Sequence, residues 1–202
     1  MSSEYPVLDT EAIFTGNILS LHVDRVQMSD GTIGVREVVD HPGAVGVVAL
    51  DDDGAILLVN QYRHPVRERL DELPAGLLDV QGEPALLAAQ RELAEEAAVT
   101  ARQWDVLLDL YTSPGMSNEA IRLFLARGLA PVPAAHRFQP EHEEITLTVQ
   151  RVPVAEALRR VLAGELTNAA AVAGILATAH GAANGWAGLR PADCPWRARP
   201  EH

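Results

Sequence analysis

Residues 83–96, Glu-Pro-Ala-Leu-Leu-Ala-Ala-Gln-Arg-Glu-Leu-Ala-Glu-Glu, constrain the fold of this 202-residue chain more than any other stretch. Their spacing predicts a helix with two unlike faces. Leu86, Ala89, Leu93 and Ala97 form an apolar stripe that can pack on a core. Glu92, Glu95 and Glu96 stand three and four positions apart, so their side chains gather on the other face. Like charges held that close weaken a helix. A cation relieves the repulsion, and oxygen-only ligands suit magnesium or manganese. Exposed Glu-rich helices are ordinary, but two features single this one out. Arg91 lies one turn before Glu95, where it can hold a carboxylate in place. Upstream, Leu73-Pro74-Ala75-Gly76 leads through a tight loop and Gly82 into Glu83-Pro84, with glycines for the turns and a proline suited to a first helical turn.

Residues 76–99 resemble the Nudix box, Gly-x5-Glu-x7-Arg-Glu-(aliphatic)-x-Glu-Glu-x-Gly-(aliphatic), with Glu83, Arg91, Glu92, Leu93, Glu95, Glu96 and Val99 in register. Two positions depart from it. The gap from Gly76 to Glu83 is one residue longer, which is expected to shift only the turn. The final glycine is Ala98, at a helix end where a left-handed cap prefers glycine, so the cap should be altered or strained. Neither change removes a carboxylate. Further stretches look like the ADP-ribose pyrophosphatase branch of that family. They are Ser113-Pro114-Gly115, with Pro114 sixteen positions after Ala98, Glu119, the run from Arg36-Glu37 to Gly43-Ala44, and Gln61-Tyr62-Arg63.

Composition agrees with an ordinary enzyme. The chain is 48% hydrophobic, enough to bury one core. Its formal charge of −12 disfavours nonspecific attachment to nucleic acid or anionic membrane. An anionic substrate then needs local cations, namely metal and a few arginines. The single cysteine, Cys194, excludes an internal disulfide framework and fits a reducing compartment. No secretory signal and no run of membrane-spanning length is recognisable, which makes the cytoplasm the expected location.

Along the chain, residues 18–28 and 32–39 alternate around Ser29-Asp30-Gly31, a hairpin signal. Strands are expected at 44–50 and 55–61, joined by Asp51-Asp52-Asp53-Gly54, a polar turn rather than a calcium loop. After the acidic helix, strands are expected near 104–111, 121–126 and 145–152, a loop at 131–140, and helices at 154–163 and 168–180. The tail after Gly181 is rich in Gly, Pro and Arg, with Trp186 and Trp196 available for packing. This order suggests an α/β/α sandwich. The resemblance implies the same: an α/β, Nudix-like sandwich with a mixed sheet, preceded by a small N-terminal antiparallel sheet. The expected organisation is an arm at 1–40 for dimerisation and substrate recognition, a catalytic domain at 41–180 and a tail at 181–202.

The resemblance further implies a homodimer that exchanges the arm, and a metal shell of Glu92, Glu95, Glu96 and the Ala75 carbonyl holding Mg2+, with Mn2+ as the alternative. Arg91 supports the carboxylates. Arg63 is the candidate for phosphate contact, since guanidinium matches phosphate oxygens bidentately. The general base is expected in Glu141-His142-Glu143-Glu144, in the order Glu144, Glu143, Glu141. Arg36 and Glu37 are candidates for adenine or ribose recognition, and Glu119 for binding the terminal ribose or steadying a loop. Three activities stay open: hydrolysis of ADP-ribose to AMP and ribose 5-phosphate, hydrolysis of another nucleoside diphosphate sugar or dinucleotide, and noncatalytic nucleotide sensing. The intact glutamates argue against the last.

Overall fold

The computed structural model describes residues 4–136, 138 and 146–199. Three strands come first, β1 (Val7–Thr15), β2 (Ser20–Gln27) and β3 (Ile33–Asp40), in an antiparallel sheet of that order. The β2–β3 hairpin closes where the sequence places it, with Gly31 at positive φ (81°) and the Asp30 carboxylate accepting from Thr32 N at 2.9 Å. Strand β1 was not expected. All nine of its residues are exposed, so no buried stripe marks it. The arm meets the rest of the chain at its last residues. Val39 N donates to the Met116 carbonyl at 2.8 Å, and Asn118 Nδ2 to Asp40 Oδ1 at 2.8 Å.

Strand β4 (Ala44–Leu50) organises the remainder, because all seven of its residues are buried. Such a strand must be covered on both faces. Val45, Val47 and Ala49 join one apolar cluster, while Ala44, Val48 and Leu50 join another, as alternation along a strand requires. Around β4 lie β5 (Ala55–Arg63), β6 (Glu68–Glu72) and β7 (Ala75–Leu77). Helix α1 (Ala85–Ala97) covers the first face through Ala88, Ala89 and Leu93. After β8 (Val99–Tyr111), β9 (Ala120–Pro131) and β10 (Thr148–Pro153), the second face is covered by α2 (Val154–Leu162) and α3 (Ala169–Ala183). A short β11 (Arg190–Pro191) ends the sheet, whose order is β10-β5-β4-β9-β8-β11. It is mixed: β4 and β9 run parallel, with Ala44 opposite Ile121, and the other pairs are antiparallel. The expected α/β/α sandwich is the observed one.

Several local expectations need correction. Residues 73–76 are not wholly loop, since Ala75–Leu77 is a strand placing Ala75 opposite Gly46. Strand β8 starts at Val99 and β9 runs on to Pro131, both longer than expected. Helix α3 ends at Ala183, three residues beyond the expected end at 180. The aspartate turn is as expected. Asp51 Oδ1 caps the backbone N–H groups of Asp53 and Ala55 at 3.0 and 2.9 Å, and Arg151 pairs with Asp51 and Asp53. Among the described residues no helix is long and apolar enough to cross a membrane.

Ala98 does cap α1 in the left-handed conformation, at φ 52° and ψ 34°. A Cβ is strained there, so Ala98→Gly should stabilise the chain by about 1 kcal/mol. For a chain of this size that raises Tm by about 2–4 °C in a calorimetric scan. An unchanged or lower Tm would show the cap to be unstrained.

Candidate active site

The acidic helix turns its carboxylates toward β7. Pro84 provides its N-cap without any side-chain hydrogen bond, so the first turn relies on tertiary contacts for its placement. The extra loop residue is absorbed in a turn ahead of Pro84. There Gly82 has φ 78°, Glu83 N donates to the Val80 carbonyl at 3.1 Å, and the Glu83 side chain still faces Arg91.

Arg91 is the hub. Its Nε and Nη2 bind the two oxygens of Glu83 at 3.3 and 3.1 Å, and its Nη1 binds Glu92 Oε1 at 2.7 Å and Glu95 Oε2 at 3.1 Å. The hydrogen bonds it donates to Glu83, then the charge of Glu92, hold its guanidinium firmly protonated, above its ordinary range, although partial burial opposes this. Glu96 points elsewhere, accepting from Ala75 N at 2.9 Å.

Gly76 has a role that its position near a turn did not suggest. A Cβ there would fall 2.0 Å from Glu92 Oε1, so the missing side chain is what lets the carboxylate lie against the strand. Glu92 and Glu96 are therefore both drawn to Ala75–Leu77, while Glu95 stays on Arg91. Three partly buried carboxylates around one guanidinium, with Glu96 beside them on Ala75 N, leave an excess of negative charge, with oxygen donors only. That donor set fits a hard divalent cation. Among the described residues no three acidic, His or Cys side chains yet converge on one point.

Arg63 is held by a residue that the sequence reading missed. Its Nε and Nη2 grip both oxygens of Glu72 at 2.9 and 2.6 Å, and the Glu72 side chain is only 4% exposed. A buried carboxylate needs such a partner. Reading residues 55–72 as a hairpin would have revealed the pair, since Val59 opposite Glu72 and Arg63 opposite Glu68 put them on one face.

Glu119 lies at the base of the arm. It accepts a hydrogen bond from the Thr112 hydroxyl, its backbone N–H donates to Ser117 Oγ at 3.1 Å, and its carboxylate is 3.8 Å from His41 Nε2. These are the contacts of a loop brace. Arg36 and Glu37 sit on β3, where Arg36 Nη1 donates to the Val35 carbonyl at 2.8 Å. Among the described residues neither forms a hydrogen bond or ion pair with the acidic helix. Glu141, His142, Glu143 and Glu144 lie outside the described residues. A cleft of about 870 Å³ separates the arm from the loop before α1, bordered by Asp40, His41, Asp79, Gln81, Asn118 and Arg199.

With this geometry the comparisons agree. The model for the NUDIX domain matches residues 40–172, and that for the nucleoside diphosphate sugar hydrolase N-terminal domain matches residues 6–39. The chain belongs to the Nudix family. Nudix hydrolases generally use divalent metals, consistent with the oxygen donors on α1. The chain is 50% identical over 199 residues to an ADP-ribose pyrophosphatase of Mycobacterium tuberculosis, covering 98% of this chain and 93% of the relative. It is 36% identical to an ADP-ribose pyrophosphatase of Bacillus subtilis, over 83% of this chain and 89% of that one. In fold, this Nudix chain is similar to a crystal structure described as an ADP compounds hydrolase, with a TM-score of 0.77 at 20% identity, covering 91% and 97% of the two chains.

Proposed function

We propose that this Nudix hydrolase cleaves the pyrophosphate bond of ADP-ribose, releasing AMP and ribose 5-phosphate, with magnesium as its metal. One observation carries the reading: similarity to an ADP-ribose pyrophosphatase runs over 98% of the chain, arm and acidic helix alike. Glu92, Glu96 and the Ala75 carbonyl would hold the metal, with Glu95 beside them on Arg91. When bound, a divalent ion neutralises phosphate charge and activates water. Arg91 keeps Glu92 and Glu95 from swinging apart before the ion arrives. Glu72 fixes the plane of the Arg63 guanidinium, so that Arg63 meets a phosphate without first being ordered. Glu144 is assigned as the base that takes the proton from the attacking water, with Glu143 and then Glu141 as alternatives.

Residues 1–40 act on this reading as a dimerisation and recognition arm, residues 41–180 as the catalytic domain and residues 181–202 as a tail. The homodimer is supported by the apolar side chains the arm leaves uncovered, among them Val7, Leu8, Ile13, Phe14, Ile18 and Val35. Arg36 and Glu37 from the partner's arm would then bind the adenosine end, and Glu119, which braces its own loop, would meet the terminal ribose. The lone cysteine is consistent with the cytoplasm. A second reading, hydrolysis of other nucleoside diphosphate sugars, is favoured by the description of the family matched at residues 6–39.

A substrate panel with magnesium, read by chromatography, separates the two. ADP-ribose is expected to be turned over fastest, giving AMP and ribose 5-phosphate in equal amounts. Inertness toward ADP-ribose beside hydrolysis of another diphosphate sugar would shift the proposal to that sugar. In the same assay Glu144→Gln should lower kcat by about 100-fold or more, with a far smaller change in KM. If Glu143→Gln is the crippling change instead, the base is Glu143.

A further inference from the structure

The last described residues, 190–199, are fastened to the layer that carries the acidic helix. They join β8 as β11, with Arg190 opposite Val106. Arg122, 3% exposed, then clamps them. Its Nε and Nη2 grip Asp109 at 2.7 and 3.0 Å. Nη1 and Nη2 also donate to the carbonyls of Cys194 and Pro195, at 2.7 and 3.2 Å, and the guanidinium lies 5.0 Å from the Trp196 ring. Arg190 adds a second cation to Asp109 at 2.6 Å. Burial opposes ionisation of Asp109, but the hydrogen bonds from Arg122 and Arg190 hold its carboxyl below the ordinary range. A buried guanidinium is tolerated only when so fully engaged. These bonds tie Arg122 to residues 190–199 and to Asp109, not to the substrate site.

Residues 192–199 then reach the acidic helix. Ala192, Cys194 and Trp196 pack against the cluster that contains Ala88, Ala89 and Leu93. Arg199 Nη2 donates to the Glu83 carbonyl at 3.3 Å. Glu83 is the residue whose side chain orients Arg91, and Arg91 sets Glu92. Since α1 begins without a side-chain cap, this outside contact steadies a first turn that otherwise frays.

We infer that residues 190–199 form a positioning strap for the metal-binding helix, fixing the start of α1 and, through Glu83 and Arg91, the direction of the Glu92 carboxylate. The inference rests on the reading of Glu92 and Glu96 as metal ligands. Its test compares the full chain, a chain ending at Leu189, and Arg199→Ala. Manganese affinity is read from the electron paramagnetic resonance of free Mn2+, beside thermal unfolding and kcat at rising Mg2+. Outer supports of a metal site typically change affinity by about 10–100-fold. The shortened chain should bind Mn2+ at least about tenfold more weakly, and excess Mg2+ should restore its kcat. Arg199→Ala should shift affinity the same way by less, with Tm unchanged. Unaltered Mn2+ affinity in both variants overturns the strap, leaving residues 190–199 a stabilising cover. If the shortened chain does not fold, Arg199→Ala decides alone. A full chain that binds no Mn2+, or a Glu96→Gln chain that binds it as tightly, refutes the metal-site reading instead.

Discussion

Glu96→Gln and Glu92→Gln are each expected to keep the fold and lower turnover by about 100- to 1,000-fold. A neutral amide is a poor magnesium ligand. The stabilisation a metal supplies amounts to several kcal/mol, and each 1.4 kcal/mol or so is tenfold in rate. The fold should survive because neither carboxylate sits in an apolar cluster, and a glutamine oxygen at 96 can still accept from Ala75 N. Gly76→Ala should reproduce much of the loss without touching an acid. Its Cβ would occupy the space of Glu92 Oε1, 2.0 Å away, and force that carboxylate off the strand. Steady-state kinetics across a magnesium titration, with circular dichroism as the folding control, reads all three. Near-normal turnover in the folded Glu92→Gln and Glu96→Gln chains would sink the assignment of α1 as the metal site.

Deleting residues 1–40 is expected to abolish both dimerisation and ADP-ribose hydrolysis, although every carboxylate of α1 remains. Positioning by the remote part of a substrate can supply about 7–11 kcal/mol of a barrier, so losing the adenosine contacts is not a minor change. The remaining domain should fold, because both apolar clusters lie wholly within residues 44–196. Among the described residues, hydrogen bonds at Val39, Asp40 and His41 tie the arm's end to the Met116–Asn118 segment. Light scattering gives the mass and the chromatographic assay gives the activity. A folded, fully active monomer would refute the shared pocket and the role given to Arg36 and Glu37 together.

Where a residue's environment is local, the sequence was readable. Strand β4 and α1 were placed within two residues of their bounds, because an unbroken apolar run and a three-and-four repeat are strong periodic signals. Even the strained cap at Ala98 could be anticipated from its place at a helix end. Strands β1, β6, β7 and β11 were missed for different reasons. β1 buries nothing, β7 is three residues long and β11 two, so none of these three carries a period. β6 follows β5 after only four residues, its Arg-Leu-Asp-Glu pattern resembling a loop. Candidate residues fared similarly. Arg91 with Glu95 is a one-turn relation on a helix, whereas Arg63 with Glu72 depends on a hairpin that was not read.

By itself, the sequence determined the class of chemistry: carboxylates at helical spacing around an arginine, on a helix whose other face must pack on a core. Side-chain direction along a helix follows from backbone geometry alone, so no distant residue had to be known. Only the tertiary structure decided how those acids divide. Glu92 lies against Gly76 and Glu96 against the Ala75 N–H because β7 pairs with β4 beside the helix, a contact between segments about twenty residues apart. The strap at residues 190–199 belongs to the same class. Arg122, Asp109, Trp196 and Glu83 are far apart in the chain and meet only because β8, β9 and α1 share one layer. Long-range pairing costs loop entropy that no local pattern reveals, and packing on the finished sheet is what repays it.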